Sequence, residues 1–241
     1  MTSKNYKPWT TTYDPSRWRR KRKILRLALR TIGFPLMARI EKVEGLENIP
    51  PNGRVIMMFN HIGFIDPLAI MHVSPRDPVP MMKAEALAFP VIGHLPKWWG
   101  VVPIWRGEVD LLAIRQSLAV LEAEEPLLIA PEGTRNPSLQ QGKLGMAYLA
   151  ARAQAPVLPV AVDNTEGYPT FPFSRRWRAP GAVIRFGKPF RFKATARNPN
   201  RQLLRKMTDE AMYILAALLP PHRRGVYADL EHATQETIVW L

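Results

Sequence analysis

A chain of 241 residues, 46% hydrophobic and 22% charged, is long enough for one sizeable domain with a real core, or for a domain plus a small appendage. The absence of cysteine excludes disulfides, thiol catalysis and cysteine-ligated zinc together. The formal charge of +14 is concentrated at the start. Residues 1–42 hold twelve Lys/Arg against two Asp/Glu, a distribution that suits anionic lipid or nucleic acid equally by electrostatics alone.

Residues 1–15 are polar and irregular, with Trp9 and Tyr13 interspersed. From Ser16 onward, Ile24, Leu27, Ala28 and Ile32 can share one helical face with Arg26 and Arg30 on the other, the pattern of a basic amphipathic helix lying in a membrane interface. Trp18, beside the basic cluster, favours the same layer. Arg30 and Arg39 break the apolar run short of the roughly 20 residues that a membrane span requires. No small-residue cleavage site follows, so a signal peptide is not expected either. The competing reading packs Leu27 to Ile40 on the domain and leaves the arginines in water. The boundary between this segment and an α/β domain is placed at residues 42/43.

Arg54 to Phe59 is a short apolar run, preceded by the turn signal Pro50-Pro51-Asn52-Gly53 and closed by Asn60, and it reads as a buried strand. His61 then stands at the strand's C-terminal end, the edge at which open α/β sheets bind ligands. Asp66-Pro67, ahead of Leu68 to Met71, reads as an N-cap followed by proline at the first helical position. A histidine whose ring is held by a carboxylate can take a proton from a hydroxyl near neutral pH, so His61 and Asp66 are a candidate base and its orienter. The plainer reading makes Asp66 a cap and His61 a structural residue.

A strand is expected at Val79 to Lys83, a turn-rich aromatic patch at Pro96 to Gly100, and a short strand at Val101 to Ile104. Glu108 to Glu125 should be a helix, with Leu111, Leu112, Ile114, Leu118 and Leu121 at core spacing. Strand Pro126 to Ala130 leads into the loop Pro131-Glu132-Gly133-Thr134-Arg135, at the same sheet edge as His61. Glycine frees backbone N–H groups for an anion, threonine adds a hydroxyl, and arginine offers a planar fork matched to phosphate, with Glu132 able to position it. Arg106, after another short strand, is a second candidate phosphate ligand. A helix at Leu144 to Gln154, strands at Val157 to Val162, Ala182 to Phe186 and Phe190 to Lys193, and a helix at Asn200 to Leu219 complete the alternation. The expected class is α/β, a mixed, mostly parallel sheet flanked by helices.

The order of these motifs is His-x4-Asp, then Pro103-Ile104-Trp105-Arg106, then Glu132-Gly133-Thr134-Arg135, then Pro156-Val157-Leu158-Pro159-Val160. Over roughly Gly45 to Gly187 it resembles the glycerolipid acyltransferase family, PlsC-type 1-acylglycerol-3-phosphate acyltransferases in particular. That resemblance implies that His61 is the general base and Asp66 its partner. It further implies that Arg106 and the Glu132 to Arg135 loop bind the acceptor's phosphate, and that Lys83 joins them as part of a Lys-x-Glu with Glu85. Trp105, Ala130, Asn136 and Asn164 depart from the residues usual at their positions in that family.

The implied partners are a phospholipid membrane surface at the cytoplasmic face, a lysophospholipid acceptor, and acyl-CoA or acyl carrier protein as thioester co-substrate. No other cofactor, no metal and no nucleic acid is expected. Two rivals stand beside this reading. One is the same fold acylating another lysolipid or a glycolipid. The other is a non-catalytic basic module for membranes or nucleic acid, which accounts for the charge but not for useful residues at three strand ends.

Overall fold

The computed structural model describes residues 13–90, 93–105, 110–193 and 199–241; Arg106 lies outside them. The chain enters through helix Ser16–Ala28 (α1), a π-helical turn Leu29–Gly33 and a short helix Phe34–Met37 (α2), then strand Ile40–Glu44 (β1). There follow Val55–Phe59 (β2), Asp66–Val73 (α3), Val79–Lys83 (β3), His94–Trp99 (α4), Val102–Ile104 (β4), Leu111–Glu122 (α5), Pro126–Ile129 (β5) and Gly145–Ala153 (α6). The remainder comprises Val157–Asp163 (β6), Arg175–Arg178 (α7), Ala182–Phe186 (β7), Phe190–Phe192 (β8), Arg201–Ala217 (α8) and Ile238–Trp240 (β9).

The sheet order is β1-β7-β6-β2-β5-β3-β4, with β8 bridging β6 and β9. Strands β6, β2, β5, β3 and β4 run parallel, so their C-terminal ends share one edge. Strand β7 is antiparallel to β6, and β1 is parallel to β7. This is the expected mixed, mostly parallel α/β sheet. Every residue of β2 is buried because helices cover both faces. Ile56 and Met58 pack with the helices α5, α6 and α8, whereas Val55, Met57 and Phe59 pack with Phe34 of α2 and Ala69 and Ile70 of α3.

The N-terminal helix docks the opposite way from the competing reading, which packed its apolar residues on the domain and left its arginines in water. Arg22, Arg26 and Arg30 face the domain, whereas Ile24, Leu27, Ala28 and Ile32 face out together with the cations from Arg17 to Lys23 other than Arg22. Arg22 is buried, its Nε donating to the Trp99 carbonyl at 2.7 Å while its guanidinium pairs with Glu125 at 2.6 Å and reaches the Tyr13 hydroxyl. Arg26 bonds Asp77 at 2.9 Å and the carbonyls of Ser74 and Pro75, and Arg30 bonds the carbonyls of His72 and Ser74. Those carbonyls end or follow α3, where unpaired C=O groups carry partial negative charge and attract guanidinium. Trp18 is buried and stacks on Tyr13, so it does not mark a lipid layer. Ile24, Leu27, Ala28, Ile32 and Leu36 are exposed. The expected boundary at residue 42 falls inside β1, which pairs with β7, so residues 40–44 belong to the sheet. No helix among the described residues is long and apolar enough to cross a membrane.

Smaller differences have local causes. The stretch read as an aromatic turn is largely helix α4, ended by Gly100 in the left-handed region. Helix α5 begins only at Leu111, because Asp110 caps it by accepting from Ala113 N. Strand β9 is not visible in the sequence pattern. It is held beside the middle of α8, where the buried Glu210 accepts from Glu236 N, Thr237 N and the hydroxyl of Thr234.

Candidate active site

Strand β2 delivers His61 through a side-chain substitution of its own ladder. Asn60, buried, donates Nδ2 to the Val162 carbonyl and accepts from Val162 N with Oδ1, each at 2.8 Å. The amide thus continues the β2–β6 pairing after the backbone has left it, and the next residue is turned out at the sheet edge. The loop that follows closes on Asp66, whose Oδ2 accepts from His61 Nδ1 at 2.9 Å, Ile62 N at 2.6 Å and Gly63 N at 2.8 Å. Asp66 is the first residue of α3 and not its N-cap; the carboxylate looks backwards into the loop. Capping the helix and orienting the imidazole are therefore not shared here: the carboxylate does the second.

A carboxylate already accepting two backbone N–H bonds offers only acceptor capacity, so the Nδ1 of His61 carries the proton and Nε2 keeps a free lone pair. The His61 side chain is mostly covered yet reachable. Gly63 packs closely on the chain just beyond β6, where a Cβ would lie 3.0 Å from the Thr165 carbonyl oxygen.

Strand β5 delivers the second loop. Asn136 N donates to the His61 carbonyl at 2.8 Å, so the Glu132 to Arg135 turn is fastened directly to the His61 loop. Gly133 has φ +73, which only glycine adopts without strain. Thr134 and Arg135 are exposed, and the Arg135 guanidinium lies over the Phe64 ring at 5.7 Å. Glu132 occupies a different place from the one expected. It is buried, accepts from Gln140 N at 2.8 Å and from the His61 backbone, and makes no bond to Arg135. Burial pushes its carboxyl up to about 7, against the opposing pull of those two backbone donors. Glu132 thus ties the two loops together from below, and the exposed side chains of this turn are Thr134 and Arg135.

The geometry adds a cation that the sequence reading missed. A Cβ on Gly133 would come within 2.8 Å of Lys143 Nζ, so this ammonium lies against the turn. Lys143 is exposed, makes no ion pair among the described residues, and is fixed at its backbone by donating to the Pro131 carbonyl. The loop beyond Arg135 is closed by Arg223, whose guanidinium bonds Asp163 and the Pro137 carbonyl at 2.8 Å each and also pairs with Glu166. Leu139 N donates to the Arg223 carbonyl in turn.

Lys83 ends β3 on the same sheet edge, 3.7 Å from Glu85, with both side chains half exposed. Strand β4 ends beside it, and Arg106, expected two residues further on, lies outside the described residues. The strand order therefore sets His61, the Glu132 to Arg135 turn and Lys83 at the ends of three neighbouring strands, β2, β5 and β3.

The Acyltransferase family model matches residues 41–163, just over half of the chain and including both loops. The 1-acyl-sn-glycerol-3-phosphate acyltransferase alpha of Homo sapiens is 33% identical over 151 residues, covering 61% of this chain and 53% of that protein. The 1-acyl-sn-glycerol-3-phosphate acyltransferase of Borreliella burgdorferi is 30% identical over 130 residues, 52% of either chain. The chain spans about half the length of the curated relatives it matches. Among solved structures, the 1-acyl-sn-glycerophosphate acyltransferase PlsC of Thermotoga maritima superposes with a TM-score of 0.58 at 22% identity, covering 83% of this chain and 78% of that one, which shows a shared fold. With its matched residues carrying the His61–Asp66 pair and the Glu132 to Arg135 turn, this chain belongs to the acyltransferase family.

Proposed function

We propose that this chain transfers a fatty acyl group from an acyl thioester to the free hydroxyl of 1-acylglycerol-3-phosphate, giving phosphatidic acid. The observation that carries the reading is the pairing of His61 Nδ1 with Asp66 at 2.9 Å, one hydrogen bond away from the Arg135 turn through Asn136 N. The names of the relatives support the acceptor. Arg135, Thr134 and Lys143 supply two cations and a hydroxyl suited to its phosphate, and Lys83 and Arg106 are further candidates on the same edge.

In the reaction, His61 Nε2 takes the proton of the acceptor hydroxyl as its oxygen attacks the thioester carbonyl carbon. The new C–O bond forms, the C–S bond breaks, and the departing thiolate recovers the proton from His61. Asp66 stabilises the imidazolium between those two events. The thioester, acyl-CoA or acyl carrier protein, is a co-substrate, and no further cofactor enters this reading. The enzyme works as a peripheral protein at the cytoplasmic membrane surface. Supporting this are the outward Ile24, Leu27, Ile32 and Leu36, flanked by the exposed cations Arg19, Arg20, Lys21 and Lys23.

The test is release of free thiol from acyl-CoA with and without lysophosphatidate, wild type beside His61→Ala. A drop of about two to four orders of magnitude in the variant is expected. Near-normal turnover in His61→Ala would end the assignment, and a panel of lysolipids differing in head group separates this acceptor from other lysolipids and glycolipids.

A further inference from the structure

The segment 164–181 between β6 and β7 sorts its aromatic residues by direction. Tyr168 is buried and Trp177 is packed against the core, whereas Phe171 and Phe173 are 85% and 82% exposed, the two most exposed large apolar side chains among the described residues. The segment is nevertheless firmly built. Arg176 staples its base, donating to the carbonyls of Asn164, Glu166 and Pro180 at 2.5–2.9 Å while its guanidinium stacks 4.0 Å over the Tyr168 ring. Ser174 caps α7 by accepting from Trp177 N, and its hydroxyl pairs with Thr170 at 2.9 Å. Phe173 is held at φ +69, a strained conformation for a bulky side chain that persists only where the surroundings impose it.

Two phenylalanines kept in water on a hydrogen-bonded scaffold, Phe173 at a strained φ, point to an apolar occupant. Two neighbours say which. At one end, Thr170 N donates to the Met37 carbonyl at 2.9 Å, joining Phe171 and Phe173 to the exposed apolar row of the N-terminal helices at Leu36. At the other, Thr165 packs on Gly63, two residues from His61. Arg175 and Arg178 are exposed beside the phenylalanines, with no carboxylate partner among the described residues. Apolar tips rimmed by free guanidinium groups and continuous with an exposed apolar helix fit a lipid surface with anionic head groups.

We propose that residues 164–181 are a second membrane-inserting element, Phe171 and Phe173 entering the leaflet and Arg175 and Arg178 holding head-group phosphates, so that the His61 crevice is set against the bilayer. This rests on the reading that the acceptor is a membrane lipid, but its test does not need turnover.

The experiment is co-sedimentation of the full chain with vesicles of phosphatidylcholine alone and of phosphatidylcholine with a minority of phosphatidylglycerol. F171S/F173S should lower affinity for both on the order of 10- to 100-fold. R175E/R178E should weaken the preference for the anionic vesicles, about fivefold per arginine at low salt, while the cations of the N-terminal helix keep part of it. Thiol release with a short-chain, water-soluble acceptor and donor should be unchanged in both variants. Wild-type vesicle affinity in F171S/F173S overturns the proposal. So does a parallel loss of turnover on soluble substrates, which would place the phenylalanines in the substrate groove. If the wild type releases no thiol at all, the proposed reaction fails while the vesicle measurement still decides this element.

Discussion

Replacing Asp66 by asparagine tests the site at its most constrained atom. Oδ2 of Asp66 accepts three hydrogen bonds, from His61 Nδ1, Ile62 N and Gly63 N, whereas Oδ1 is buried with no partner among the described residues. An asparagine amide cannot reproduce this in either orientation. With its oxygen at the three-donor position, the NH2 lies where no acceptor waits, a buried unsatisfied donor costing about 1–3 kcal/mol of stability. With the amide reversed, the NH2 opposes two backbone N–H groups and can only donate to Nδ1. That moves the imidazole proton to Nε2, where the acceptor's proton has to go. Both orientations also remove the negative charge facing the imidazolium, a charge-assisted bond of about 1.5–3 kcal/mol or about 10- to 150-fold in rate. With the tautomer effect added, kcat for thiol release should fall on the order of 10²–10⁴-fold, with KM for the thioester nearly unchanged. The assay is initial-rate thiol release beside thermal melting of the same preparation. An Asp66→Asn enzyme as fast as the wild type would refute the orienting role.

Burial of Glu132 pushes its carboxyl from 4.5 up to about 7, whereas in the unfolded chain it ionises at its ordinary value. Between those values the folded state holds one more proton, so stability falls as pH rises through this window and levels off above it, by on the order of 3 kcal/mol in total. Glu132→Gln should flatten that slope, as denaturant midpoints at about pH 5 and about pH 8 would read; an unchanged slope would contradict the burial argument. Lys143→Ala should raise KM for lysophosphatidate about fivefold while leaving kcat and melting temperature alone, the signature of a lost exposed phosphate contact. Arg22→Met should destabilise the protein by about 2–3 kcal/mol, because Glu125 and the Trp99 carbonyl lose their partner; chemical denaturation measures it, and turnover per folded molecule should not change.

The alternation of elements was legible because buried parallel strands read as unbroken apolar runs, and β2, β5 and β6 each lie within about a residue of where those runs stand. Which side of the N-terminal helix docks was not legible. Periodicity separates the two faces, but the partners that decide between them, the His72 carbonyl for Arg30 and Glu125 for Arg22, lie 42 and 103 positions away. Asp66 was misread as a cap because Asp-Pro before an apolar run is the same local signal whether the carboxylate bonds forward or backward. Glu132 and Lys143 illustrate a related difficulty. Glu132 belongs to a motif but faces inward, while Lys143 faces the motif and belongs to none. The space that Gly133 leaves open is the only sequence hint of the second.

Arg223 stands 60 positions after Asp163 and 86 after Pro137, the two groups it holds at 2.8 Å, whereas the matched family segment stops at residue 163. A shortened protein ending there would still carry His61, Asp66 and Arg135, yet it would lack the clasp that draws the 137–139 turn against the end of β6. Such a protein would also lose β7, which pairs with both β6 and β1, and the core residues of α8, so a working unit has to be counted by what braces its turns and closes its sheet as well as by which reactive groups it contains.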